Sequence, residues 1–533
     1  MSNQKRDLNI KWSVLIPALI VVLGVSIPLA VNPESGTAVV GKIFNFITSN
    51  LKSVFLWFGF LATVFCFWIS FSKWGNIKLG GPEDKPDFSW FTYCAMIFTS
   101  GVAIGVVYWP FLEPVYYTQS PPLFVGANTP LAAEYSGFLS LFHWGITAWA
   151  FSALPTFPIA YALHVKKAKS LRLSTACSGV LGSYTESWLG RLIDAIGIFA
   201  IIGGVGTSLG LAVPLVMQLI SAISGIPNTF GNQIILLIVW TAFFTLAVWT
   251  GLKKGIAKVA DWNTYLAFAI LAFVFVTGPT LFMVNLFTNS VGLTITEFFR
   301  MSLWSDPVSK SGFPEGWTVF YWAWDAAYGP LMGLFVARIS KGRTIREMVM
   351  ATIFAGAIGC WLFFVVFGGY GVYAVYNKLF DLAGMVEKLS PAAIIVEVMK
   401  TLPLSQIVLP LVMIMCFLFV ATTLNASAYT LASQCTKELK SNEEPPRWLR
   451  TVWGIALGIY AAGLFAVKGL KAVQLSSIIV ALPLIPIFII MVISGMRWIK
   501  EDYGQLLQPN IPVLPKENVK PLPSFIESEL NSN

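Results

Sequence analysis

Charge is what this chain has least of. Aspartate, glutamate, lysine and arginine together make up 11% of its 533 residues, and it holds two histidines, His143 and His164. A soluble protein of this length cannot cover its surface with so few charges. Neither histidine has metal-ligand spacing, and the six cysteines, Cys66, Cys94, Cys177, Cys360, Cys416 and Cys435, include no CxxC pair. Neither a zinc site nor a disulfide framework is therefore expected. The sequence has no Walker-type phosphate loop and no nucleophile constellation, which leaves enzymatic and ATP-driven readings without support. A basic domain is missing too. The net charge of +9 is split among short clusters between apolar runs, which argues against a nucleic-acid partner.

What the chain does have is apolar sequence: 56% of residues are hydrophobic and the mean hydropathy is +0.72. At about 20 residues per crossing, this is an all-α polytopic membrane protein with about twelve transmembrane helices. The expected spans are 13–31, 53–72, 90–117, 137–163, 190–220, 232–252, 262–288, 316–340, 347–376, 404–434, 450–469 and 473–498. The first is too long for a signal-peptide core and is followed by Asn-Pro-Glu-Ser, so it is expected to stay as a helix. Alternate loops carry the basic clusters, among them Lys73, Lys78 and Lys85; Lys166, Lys167, Lys169 and Arg172; and Arg338, Lys341, Arg343 and Arg346. The positive-inside bias places these loops, and both termini, in the cytoplasm of a cell-membrane protein.

Two runs are broken and aromatic, and each carries an acid. Gly101 to Gly105 precedes Tyr108, Trp109, Pro110, Glu113, Pro114, Tyr116 and Tyr117; five spans later comes Trp317 to Met332, with Asp325 and the Gly329-Pro330 pair. Proline removes a donor and crowds the carbonyl of Ala326, so the helix is expected to kink or open there. Gly/Pro-interrupted segments at corresponding places in two halves point to an inverted-repeat transporter with its site at mid-membrane. Because five is odd, the second copy enters from the opposite face. The expected organisation is a cytoplasmic N-terminus (1–12), two leading helices and a loop (13–89), a first repeat (90–288), an external amphipathic segment (289–315), a second repeat (316–498) and a cytoplasmic tail (499–533).

Asp325 is the sharpest single candidate, since a carboxylate mid-span costs about 2.5–3.5 kcal/mol on insertion scales. At helical spacing Tyr321, Asp325, Tyr328 and Met332 share a face, with Trp322 beside it and Trp324 on the other flank. Trp144 and Trp149 lie on the fourth span. Aromatic faces hold quaternary ammonium groups by cation–π attraction, worth about 2 kcal/mol when desolvated. Glu113 fits a capping role as well as a substrate role. Thr422 and Thr423 are threonines of the kind that back-bond to the preceding turn; the other reading is a sodium site completed by backbone carbonyls.

At Phe142-His-Trp-Gly145, Gly316-Trp-Thr-Val-Phe-Tyr-Trp-Ala-Trp324 and Phe335-Val-Ala-Arg-Ile-Ser-Lys-Gly-Arg-Thr-Ile-Arg-Glu347 the chain resembles the betaine/carnitine/choline transporter family. The match continues through Gly206-Thr-Ser-Leu-Gly-Leu211, Gly251-Leu-Lys-Lys-Gly255, Gly312-Phe-Pro-Glu-Gly-Trp317 and Glu443-Glu-Pro-Pro446. The resemblance implies a LeuT-like five-plus-five inverted repeat behind two extra helices, alternating access, a homotrimer, and a substrate bearing a quaternary or substituted ammonium. Carried over by position, Tyr116, Trp144, Trp324, Asp325, Tyr328 and Met332 line the central site, with Trp149 close by. Asp325 departs from the family, which usually has another tryptophan there; a carboxylate would favour N–H donors, net positive charge or less methylation, or could shuttle a proton. Asn263 stands where sodium-independent exchangers have arginine, so sodium coupling is expected, with Thr422, Thr423 and the carbonyls of Thr99 and Val102 around the ion. Ile201 and Val205 replace the hydroxyls of a second sodium position. A sodium-independent exchanger of the carnitine/butyrobetaine type, a proton-coupled carrier using Asp325 and a non-transporting membrane sensor remain as alternatives.

Overall fold

The computed structural model describes residues 10–101, 104–250, 253–380, 382–437, 444–466 and 477–504. Among these the chain is helical, with strand-type backbone pairing confined to the isolated bridges of Ile10 with Thr436 and Lys78 with Thr344. Two helices lead, α1 (Trp12–Val31) and α2 (Pro33–Phe71). The turn between them is set locally, because the Asn32 side chain accepts from the Ser35 N–H at 3.1 Å and Pro33 occupies the first turn, where its missing N–H costs nothing. As a result α2 starts at Pro33 rather than at residue 53.

Two similar series follow. The first runs α3 (Trp90–Gly101), α4 (Gly105–Gln119), α5 (Pro130–His143), α6 (Ile146–His164), two short helices (Leu173–Ala176 and Ser178–Leu181), α7 (Trp188–Ser224), α8 (Phe230–Thr250) and α9 (Lys253–Thr277). After α10 (Thr280–Leu303), the second begins with a wide π turn at Pro314–Thr318 that enters α11 (Val319–Ile339). It continues with α12 (Ile345–Phe363), another π turn, α13 (Gly369–Tyr376), two short helices (Leu382–Lys388 and Pro391–Lys400), α14 (Ser405–Gln434), α15 (Arg447–Ala466) and α16 (Leu484–Tyr503). Each series has an opened first element, an interrupted second, two short helices and three long ones. That recurrence is what the paired broken runs lead one to expect.

Six described helical stretches are long and apolar enough to cross a membrane, and two bent pairs raise the number to eight. Length and apolarity alone therefore stop short of twelve. Large apolar side chains such as Ile16, Ile20, Ile235, Ile238 and Ile489 stand exposed on the outside, as lipid permits. Between helices, small residues allow close approach: a Cβ on Gly206 of α7 would come within 2.3 Å of the Tyr460 ring on α15.

The structure corrects three expectations. α3 and α4 meet at 62° across the Gly101–Gly105 break, as anticipated, but α11 runs as one helix through Pro330 and opens at its start instead. Gly329 serves packing there, since a Cβ would lie 2.7 Å from Phe488 of α16 and 3.1 Å from the Phe151 carbonyl of α6. The fourth span, expected unbroken, is interrupted at Trp144-Gly145. The seventh ends at Thr277, where Gly278-Pro279 turns the chain by 106° into α10, so the amphipathic segment begins at Thr280 and not at 289.

One buried ion pair closes the end of α16. Lys166 Nζ lies 2.8 Å from Asp502 Oδ1, and the Tyr161 hydroxyl donates to Asp502 Oδ2 at 2.7 Å. Both charged side chains are less than a tenth exposed. Asp502→Ala leaves Lys166 buried without its partner, which is expected to cost about 3–5 kcal/mol. Thermal unfolding of the purified protein checks this; the double change Lys166→Met with Asp502→Leu is expected to recover most of the loss.

Candidate functional site

A cavity of about 460 Å³ of empty space lies where α3, the α5–α6 break, α7 and α11 converge. Its lining is Gly101, Trp144, Ala148, Trp149, Ser152, Ser208, Trp324, Asp325, Tyr328 and Met332.

α11 supplies the acid and half of the aromatic wall. At 100° per residue, Trp324, Asp325, Tyr328 and Met332 fall on one stripe. The stripe is docked on α7: Trp324 Nε1 donates to the Gly204 carbonyl at 3.2 Å, and the Tyr328 hydroxyl is 2.6 Å from Ser208 Oγ. The interruption at Trp144-Gly145 lets α5 end where α6 begins, which turns Trp144 inward. From there Trp144, Ala148 and Ser152 follow one another at intervals of four.

Glycines seat the two large rings of α5 and α6. A Cβ on Gly105 would stand 2.5 Å from Trp144 Cη2, and one on Gly356 of α12 would stand 1.9 Å from Trp149 Cδ2. Real Cβ atoms do not approach that closely, so any other residue at either position would force the indole ring or the backbone to shift.

Behind Trp144 sits Glu113, fully buried. Its Oε1 accepts from Trp144 Nε1 at 2.8 Å and from the Tyr321 hydroxyl at 2.5 Å, and its Oε2 accepts from Ser140 Oγ at 2.5 Å. Glu113 thus ties α4, the α5–α6 break and α11 together behind the cavity wall. A second polar chain lies further along the same elements, from the Tyr117 hydroxyl to His143 Nδ1 at 2.9 Å and from His143 Nε2 to Thr318 Oγ1 at 3.1 Å. Asp325 has no comparable partners: its Oδ2 is buried without a hydrogen bond.

Two of the eight substrate candidates lie elsewhere. Trp322 is fully buried among Phe142, His143 and Phe151, with ring centroids 5.5–6.0 Å away, and against Gly59 of α2. It lies about 100° around α11 from the middle of the cavity stripe, so it packs rather than lines. Tyr116, eleven residues beyond Gly105, stands about 16 Å further along α4 and meets the Trp317 ring at 5.9 Å. Sequence reasoning missed Ser152 and Ser208. Helical spacing from Trp144 could have found the first; the second becomes visible only once α7 is packed against α11.

For the ion candidates, Thr422 and Thr423 both donate to the Phe419 carbonyl, at 2.7 and 3.1 Å, and Thr99 donates to the Ala95 carbonyl at 2.8 Å. The back-bonded geometry is present, yet it uses only each hydroxyl's proton and leaves oxygen lone pairs for a cation. α14 packs against α3, whose last carbonyls have no partner within their own helix. Val102 lies outside the described residues. No cluster of three or more His, Cys, Asp or Glu side chains suited to a metal occurs among the described residues.

A family model described as betaine/carnitine/choline family transporter matches residues 13–504. Among solved structures, the chain is similar to a Na+-coupled sialic acid symporter in a substrate-bound, outward-open state, at 13% identity and a TM-score of 0.44, covering 86% of this chain and 93% of that one.

Proposed function

Because the chain belongs to the betaine/carnitine/choline transporter family, and is a membrane-embedded secondary transporter rather than an enzyme, we propose that it takes up a small solute in symport with sodium, betaine-like in that it bears a quaternary or substituted ammonium. The observation that carries this reading is the cavity itself, where Trp144, Trp149, Trp324 and Tyr328 surround a carboxylate. Aromatic faces and one negative charge suit an alkylated ammonium head. The two series of helices act as the inverted repeats that move against each other around it. The protomer is expected to assemble as a homotrimer in the cell membrane, with both termini cytoplasmic.

Support for sodium lies in the pairing of α3 with α14 and in Asn263, a neutral residue buried on α9, which packs along α14. Thr99, Thr422, Thr423 and the Val102 carbonyl would supply hard oxygen ligands. In proteoliposomes, an inward sodium gradient is expected to drive saturable uptake, and Thr423→Val is expected to weaken sodium activation by about tenfold, the loss of one ligand worth some 1.4 kcal/mol. Uptake indifferent to the gradient overturns the coupling; counterflow without any ion gradient would then assign an exchanger. The unpartnered Asp325 favours one further reading, a proton-coupled carrier, which pH-driven uptake abolished by Asp325→Asn would establish.

A further inference from the structure

The charge balance of the cavity narrows the solute further. Among its lining residues are one carboxylate, two serines and no lysine, arginine or histidine. Asp325 therefore has no cation supplied by the protein at the cavity wall, and one of its oxygens has no donor. Two of the three hydroxyls in the lining, those of Tyr328 and Ser208, bond each other at 2.6 Å, and none of the three carries a positive charge to balance the carboxylate. The other buried carboxylate, Glu113, receives three donors from behind Trp144 and so needs nothing from a solute.

Resting on the transporter reading above, we infer that the solute is an organic monocation whose ammonium keeps at least one N–H, donated to Asp325, and which has no carboxylate of its own. The N–H is required because a fully alkylated ammonium has no proton to donate, and closing the site over it would leave a buried carboxylate oxygen unpaired. Sites built to hydrogen-bond a ligand N–H discriminate strongly against analogues without it. The missing carboxylate follows from the lining, since a zwitterion would bring a second negative charge into a cavity with no basic side chain to meet it. The alkyl groups of the ammonium lie against the indole faces of Trp144, Trp149 and Trp324.

Four related probes separate these requirements: N,N-dimethylethanolamine (N–H, no carboxylate), choline (neither), N,N-dimethylglycine (both) and glycine betaine (carboxylate only). Binding of each to the purified full-length protein at neutral pH is read by the fluorescence of the cavity tryptophans and by calorimetry. Dimethylethanolamine is expected to bind about 100-fold more tightly than choline and more tightly still than either zwitterion, and Asp325→Asn is expected to collapse this preference to within about threefold. Choline or glycine betaine binding as tightly as dimethylethanolamine overturns the inference and leaves the ammonium-transporter reading standing; so does a preference that Asp325→Asn does not change. Failure of all four to bind overturns both.

Discussion

Gly356→Ala is expected to cut solute uptake by about 100-fold while the protein still folds and inserts, because overpacking on this scale costs about 1–3 kcal/mol. The added methyl would sit 1.9 Å from Trp149 Cδ2 and 2.2 Å from Cε2. Backbone is fixed on one side of that contact, since Gly356 lies within α12, which packs along α6. The ring is what can move, and its way out leads into the cavity. Initial uptake rates and tryptophan fluorescence of the purified variant report the two halves of the expectation. Trp149→Phe in the same background, with a smaller ring, is expected to restore part of the rate. Wild-type uptake with an unshifted spectrum would show that Trp149 does not depend on its glycine seat.

Glu113→Leu is expected to be as severe, for a different reason. It removes the acceptor of Trp144 Nε1 and the Tyr321 hydroxyl and leaves both buried without a partner, at about 1–3 kcal/mol each. Trp144 loses its fixed orientation along with stability, so both the unfolding temperature and the apparent affinity for solute should fall. Glu113→Gln is expected to be much milder. Oε1 takes both of those bonds, so an amide carbonyl in its place retains them, and the amide nitrogen can donate to Ser140, whose hydroxyl is free to turn. A glutamine variant as damaged as the leucine one would mean that the negative charge itself is needed.

Much of this arrangement is legible in the sequence. Six of the eight substrate candidates line one cavity, and the break between Gly101 and Gly105 lies where the sequence places it. What made these readable is local: glycines in an apolar run, and an acid at helical intervals from aromatics. The failures came from effects that one-dimensional spacing does not carry. Trp322 is two residues from Trp324, a separation that sends the two rings to different sides of a helix however strongly both are aromatic. Pro330 alone suggests a break, yet α11 continues through it as one helix, with neighbours on two sides, α6 and α16, that meet at Gly329. Glu113 was read as a cap or a ligand, and its three donors come from α5, its break and α11, a meeting that depends on tertiary packing. The elbow at Gly278-Pro279 is present in the sequence, but apolar residues continue on both sides of it and disguise it as one span.

That elbow has a mechanical consequence. By turning the chain through 106° it lays α10 across the bundle, where it packs on α2 and α5 and also on α13. α10 is thus a crossbar fastened to both series of helices. α5 runs directly into the Trp144 break, so the crossbar is joined to the cavity wall through a single turn of chain. α10 itself contributes no residue to the cavity lining, so shortening it is expected to change the rate of uptake more than the affinity for solute, as initial rates and binding measured on the same variant would show.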